Sequence, residues 1–238
     1  MSVAENLAGI RERMAAACAR VGRDPGGVTL LAVSKGMPPE VIAEAAAAGL
    51  TLFGENKVQE ARAKIPLCPG QLHWHFIGHL QSNKCRDAVA CFEMIEGVDS
   101  VALAEELQKW ADKSVRTLPV LLEVNLAGES TKFGFKPDAL LDALGPINAL
   151  PRLEIHGLMT IAPWAQDPEK VRPIFRNLRE LKAACEQRLG APLPHLSMGM
   201  SGDFEVAIEE GATLVRIGTA LFGPRPRRAQ PPEAAETT

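Results

Sequence analysis

The chain contains no tyrosine. That absence removes the phenol from the candidate acids and bases. Cysteine is scarce: there are five, Cys18, Cys68, Cys85, Cys91 and Cys185, an odd number with no CxxC pair. A disulfide framework and a structural zinc site are both argued against, and reduced thiols in a cytosol fit best. Neither sign of charge dominates, with a formal net charge of -3 at pH 7. Nothing electrostatic points to nucleic acid. Basic residues crowd only at Arg225, Arg227 and Arg228, which read as a solvated end. No apolar stretch approaches the ~20 residues that span a bilayer, so no membrane partner is expected. The opening segment MSVAENLAGIRERM lacks the long apolar run of a signal peptide, which suggests a cytoplasmic protein.

What is present is enough apolar material for a full core: 46% of 238 residues are hydrophobic. Such a length suits one large α/β domain or two small ones. The first residues, 2–21, read as an alanine-rich amphipathic helix closed by the turn GRDPGG. Apolar strand segments then alternate with helical ones. Strands are predicted at 28–35, 50–56, 73–78, 92–98, 118–126, 153–161 and 194–200, with a last strand and its following turn at 213–223. Between them lie helical stretches, including 100–113 with Ser100 as its N-cap and a long one between Pro168 and Leu189.

Strands alternating with helices imply parallel pairing and right-handed crossovers. Eight such units in about 200–250 residues are the count of a (β/α)8 barrel. The expected fold is therefore a single α/β TIM-type barrel over residues 1–223 with an extra N-terminal helix. A doubly wound open sheet is the alternative, but no GxGxxG follows the first strand. Residues 224–238 are Pro-rich and polar and are expected to be a disordered tail.

A barrel builds its site at the C-terminal ends of its strands. Lys35 ends an apolar run there. Partial desolvation at such a place would free its amine as a nucleophile toward carbonyls, although a lysine at a strand end also snorkels to solvent. SMGMSGD sets Ser201 and Gly202 before a helix, and RIGTALFG sets Gly218 and Thr219 after the last strand. Loops after the seventh and eighth strands commonly bind phosphate, and small residues let backbone N–H groups approach its oxygens. Arg216 lies between, either in a core ion pair with Glu55 or Glu123, or facing a pyridine nitrogen. As a permanent cation it would keep that nitrogen unprotonated and weaken the ring as an electron sink. A lysine and a phosphate cradle across one mouth suit a phosphorylated aldehyde cofactor.

Several stretches together carry a family resemblance: LLAVSKGMP (30–38), FGENKVQE (53–60), WHFIGHLQSNK (74–84), VLLEVNLAGESTKFGF (120–135), HGLMTIAP (156–163) and LSMGMSGDFEVAIEEGATLVRIGTALFG (196–223). Through them the chain resembles the pyridoxal 5'-phosphate (PLP) homeostasis proteins, single-domain relatives of the alanine racemase barrel. The resemblance implies an internal Schiff base on Lys35 and Asn56 beside the cofactor ring or its 3' oxygen. It implies a phosphate held by Ser201, Gly218 and Thr219, with Gly202, and Arg216 facing the ring nitrogen. Met159 and Met200 would line the pocket. Two positions depart from the family pattern: Lys57 stands where the family often has Tyr, and Gly97 where it commonly has Ser.

His73, His75 and His79 tempt a metal reading, but no carboxylate or thiol completes a ligand pattern, and His75 reads better as a hydrogen-bonded barrel histidine. Met198 and Met200 alternate along one strand and read as core or pocket lining. Lys84 reads as a solvated lysine or an anion contact, and Lys132 and Lys136 as transient acceptors of the cofactor.

Two functions follow from the resemblance. One is a carrier that holds PLP and releases it to apo-enzymes. The other is a PLP enzyme, an amino acid racemase or decarboxylase. A racemase of this family takes its second base from a tyrosine, and these residues supply neither a tyrosine nor a β-rich covering domain. The carrier is favoured, without catalytic residues of its own, and the resemblance leans toward a monomer. A barrel binding another phosphate ligand is the third reading.

Overall fold

The computed structural model of the chain describes residues 2–129 and 132–224. The tail expected beyond Gly223, with Arg225, Arg227 and Arg228, lies outside the described residues apart from Pro224.

The strands are β1 Thr29–Val33, β2 Leu52–Glu55, β3 His73–Phe76, β4 Met94–Val98, β5 Leu118–Glu123, β6 Leu153–Met159, β7 His195–Met200 and β8 Leu214–Ile217. They pair in parallel, in sequence order, and β8 closes on β1 with Leu30 opposite Val215 and Leu31 opposite Arg216. The helices are α1 Val3–Arg20, α2 Pro39–Ala47, α3 Val58–Lys64, α4 Cys85–Cys91, α5 Val101–Lys113, α6 Pro137–Asn148, α7 Arg172–Leu189, α8 Phe204–Glu209 and α9 Thr219–Phe222. This is the expected (β/α)8 barrel preceded by one helix, and the open sheet is excluded by the closure.

Local chemistry explains the element ends. Ser2 caps α1 in a reciprocal box with Glu5. Ser100 caps α5 by accepting from the Leu103 N–H, as expected. The predicted strand at 92–98 starts two residues later, because the Phe92 N–H closes α4 on Ala88. The turn predicted after the last strand is the single helical turn α9, in which Leu221 and Phe222 both donate to the Gly218 carbonyl. Before α7 the segment Pro168–Val171 winds as a 3-10 turn capped by Asp167.

Alternate residues of each strand face opposite sides. Outward side chains such as Val215 and Ile217 join the large shell packed under the helices. Inward ones form small apolar clusters, Met94, Leu121, Met159 and Leu214 in one and Leu31, Val33 and Ile77 in another. Between these clusters the interior is polar. His75, Glu96, Ser197 and Arg216 are all buried there.

Candidate functional site

Lys35 follows β1 by two residues and is half-buried. Asn56 follows β2, Met200 ends β7, and Arg216 lies on β8 next to β1 in the closed sheet. These residues, with Ser201, Gly202, Gly218 and Thr219, line one cavity of about 520 Å³ at the C-terminal mouth of the barrel. A cavity of this size suits a small cofactor. Met159 is the correction. It was expected in the pocket, yet it is fully buried in the barrel interior with Met94, Leu121 and Leu214, and does not line this cavity. Met159 ends β6 opposite Glu123 of β5 and Ser197 of β7, and its side chain is taken up by that inner apolar cluster.

The two small-residue loops meet at the mouth. After β7, the Met200 N–H donates to Asp203 Oδ1 at 2.6 Å and the Asp203 N–H returns to the Met200 carbonyl, so Ser201 and Gly202 sit on a closed turn. Ser201 Oγ accepts from the Ala220 N–H at 3.2 Å, which ties this turn to the start of α9. Gly199 makes the approach possible. Its φ is +92°, and a Cβ there would lie 2.6 Å from the Ala207 Cβ, so α8 could not pack on β7 as it does. The same segment separates the two methionines. A register irregularity against β8 between Ser197 and Met200 breaks the alternation, leaving Met198 in the outer shell and Met200 at the cavity.

Arg216 is held by bonds, not by an ion pair with Glu55 or Glu123. Nη1 donates to Ser197 Oγ at 2.7 Å and Nη2 to the Thr160 carbonyl at 2.8 Å. Ser197 Oγ in turn donates to Glu96 Oε2 at 2.5 Å, and His75 Nδ1 lies 2.7 Å from Glu96 Oε1. Burial opposes ionisation of Glu96, but the bond and charge of His75, the charge of Arg216 and the Ser197 hydroxyl outweigh it and hold the carboxyl below the usual range. An ionised Glu96 accepts from both neighbours, so the donors run from Arg216 through Ser197 and from His75 to one anion. Burial also pulls the Arg216 guanidinium below its ordinary value, against Glu96, Glu123 and Asp203. It stays a cation.

Sequence reasoning missed this support. Glu96 and Ser197 sit mid-strand, where only the closed barrel brings them together. Asp203, the residue before α8, and Trp164, between β6 and α7, also line the cavity, Trp164 with 88% exposure. An acidic residue just before a helix and a tryptophan in a polar loop were the signals available.

The histidines of β3 and its following turn each face a carboxylate from the β4 region: His73 with Glu93, His75 with Glu96 and His79 with Asp99. Among the described residues no group of three or more metal-binding side chains forms. Lys57 and Lys84 line a separate recess of about 320 Å³ that adjoins the main cavity at Asn56. Lys132 and Lys136 line neither. The cysteines Cys18, Cys68, Cys85, Cys91 and Cys185 are unpaired, and burial pushes the Cys85 thiol up to about 12. No helix among the described residues is long and apolar enough to cross a membrane.

The alanine racemase N-terminal domain family matches residues 5–226. A pyridoxal phosphate homeostasis protein of Aquifex aeolicus (strain VF5) is 48% identical over 226 residues, covering 94% of this chain and 99% of the relative. PipY of Synechococcus elongatus PCC7942, solved with PLP bound, is 41% identical with a TM-score of 0.82, covering 93% of this chain and 100% of that one. An alanine racemase of Clostridium difficile 630 is 15% identical with a TM-score of 0.75, covering 95% of this chain and 58% of that one, a likeness of fold.

Proposed function

Because this chain belongs to the pyridoxal phosphate homeostasis proteins, built on the alanine racemase N-terminal domain, we propose that it holds PLP at the barrel mouth and releases it to apo-enzymes. One observation carries the reading: an amine, two small-residue loops and a buried cation line a single cavity.

The residues present fit a phosphorylated aromatic aldehyde. Hydroxyls of Ser201 and Thr219 and the open backbone at Gly202 and Gly218 suit the phosphate. Val33, Ile77 and Met200 give apolar walls for a ring. Bound PLP supplies an aldehyde that condenses reversibly with a primary amine, releasing water. Lys35 is the amine at this mouth. Asn56 lies beside the ring or its 3' oxygen. Arg216, oriented by Ser197 and Thr160, faces the ring nitrogen with a charge that cannot be given up.

These features favour holding over turnover. A ring nitrogen beside a permanent cation stays unprotonated, which weakens carbanion chemistry. The chain offers no tyrosine as a second base. A monomer in the cytoplasm, with its thiols reduced, completes the reading.

The test is direct. Protein incubated with PLP turns yellow, borohydride bleaches the band, and the reduced adduct maps to the Lys35 peptide. Lys35→Ala loses the band; a variant that keeps it defeats the site assignment. Transfer to an apo-enzyme should also differ in rate from that of free PLP at equal concentration, and equal rates would remove the carrier role.

A further inference from the structure

A second lysine lies beneath the first. Lys64 ends α3 and is only 7% exposed. A buried ammonium is costly unless its three N–H groups are all used. Here they are. Nζ donates to the Ser34 carbonyl at 2.9 Å, to Glu55 Oε1 at 2.8 Å and to Glu60 Oε1 at 2.9 Å.

The same carboxylates reach the neighbours of Lys35. Glu60 Oε1 accepts from the Gly36 N–H at 2.6 Å. Glu55 Oε1 accepts from Ser34 Oγ at 2.7 Å. The peptides on both sides of Lys35 therefore hang on one ammonium and its two carboxylates. Strand pairing reaches only the first residue of this stretch: the Ser34 N–H donates to the Gly54 carbonyl of β2 at 3.1 Å, whereas the Gly36 N–H goes to Glu60. Its backbone is special too: Gly36 has φ +74°, and the Met37 N–H closes the turn on the Ser34 carbonyl.

Stability alone is a poor account of such a network. A buried ion pair is often no better than well-packed apolar side chains. Glu55 Oε2 is also buried with no hydrogen-bond partner among the described residues, a cost in itself. Burial raises the Glu55 pKa despite the bonds from Lys64 and Ser34. What the network does provide is a fixed frame for one residue.

We propose that Lys64, with Glu60 and Glu55, is the positioning clamp for Lys35, fixing the Ser34 and Gly36 peptides so that the amine meets the cofactor aldehyde in one orientation. The proposal rests on the PLP reading above. Lys64 touches no reacting atom; it acts through the backbone of its neighbour. Orientation of a reacting group is worth large factors in rate, so loosening the frame slows capture and speeds release.

Glu60 is the position to change, because its side chain is 27% exposed and the fold tolerates loss there best. Growth of the yellow band on adding PLP, and its decay on dilution into a scavenging amine, give capture and release rates. Glu60→Ala should slow capture about tenfold and speed release. Glu60→Gln, which keeps an acceptor oxygen, should recover most of the loss. In the unloaded protein, amide exchange at Gly36 should quicken in Glu60→Ala and not in Glu60→Gln, a readout that a general loss of stability would not confine to one amide. If Glu60→Ala does not fold, Glu60→Asp, whose shorter side chain draws the carboxylate away from Gly36, carries the same comparison. Rates within twofold of wild type, with the wild-type adduct on Lys35, overturn the clamp alone. Absence of any Lys35 adduct in the wild type overturns the PLP reading and the clamp with it.

Discussion

The carboxylate of Glu96 and the hydroxyl of Ser197, 101 residues apart in the chain, meet at 2.5 Å inside the barrel. Through that hydroxyl the anion orients Arg216 from below the cavity. Ser197→Ala would leave a buried carboxylate oxygen and a guanidinium N–H without their shared partner. The expected loss is about 2–4 kcal/mol of stability, read by chemical denaturation of the unloaded protein. The absorbance of bound PLP should shift as well, because Arg216 no longer sits fixed at the ring nitrogen. A loss under about 0.5 kcal/mol would mean the network does not hold Arg216.

Glu123, buried at the end of β5, should make the unloaded protein less stable as pH rises. Burial pushes its carboxyl up to about 7, with Asp99 adding to the rise against Arg216 and Lys132. The folded state thus keeps a proton that an unfolded glutamate, with a pKa of about 4.3, gives up. Its contribution is complete below about 4.3 and declines as pH rises through about 7. Glu123→Gln removes that decline. Relative to wild type, the variant should gain about 2–3 kcal/mol between pH 5 and pH 8, measured by denaturation at both values. A difference that does not change with pH counts against the assignment.

Gly199→Ala should damage the phosphate side of the site from outside it. The added Cβ meets Ala207 at 2.6 Å, and φ is +92°. Destabilisation of about 2 kcal/mol or more is expected. Affinity for PLP should fall further than for pyridoxal, which lacks the phosphate, because α8 and the Ser201–Gly202 turn move together. Equal losses for both ligands would place the damage elsewhere.

Trp164 should report occupancy. It lines the cavity and is 88% exposed, whereas Trp74 is buried between strands and helices at 4%. Loading with PLP should quench tryptophan emission, and Trp164→Phe should remove most of the change while keeping the yellow band. A quench that survives the substitution assigns the signal to Trp74 or Trp110.

The fold was legible because its signal is local. Runs such as LLAV and VLL stay apolar since each strand is covered on both faces, and the intervening helices announce themselves through caps such as Ser100. Element ends were less so. Phe92 is apolar enough for a strand but is used to close α4, and the run after Gly218 is too short for periodicity to separate a turn from a helix. Met159 misled for a related reason: its place near a strand end is visible, but the layer its side chain enters depends on the tilt of the closed sheet.

By itself the sequence determined the eight-fold alternation, the lysine at the first strand end and the small residues after the seventh and eighth strands. Those follow from backbone periodicity and from what each residue type permits locally. Only the tertiary structure decided that Lys64, Glu60 and Glu55 bracket Lys35, and that Glu96 and Ser197 stand behind Arg216. The reason is physical. A buried polar group takes its partner from whatever closure brings within hydrogen-bond reach, and in a closed barrel that partner can lie a hundred residues away.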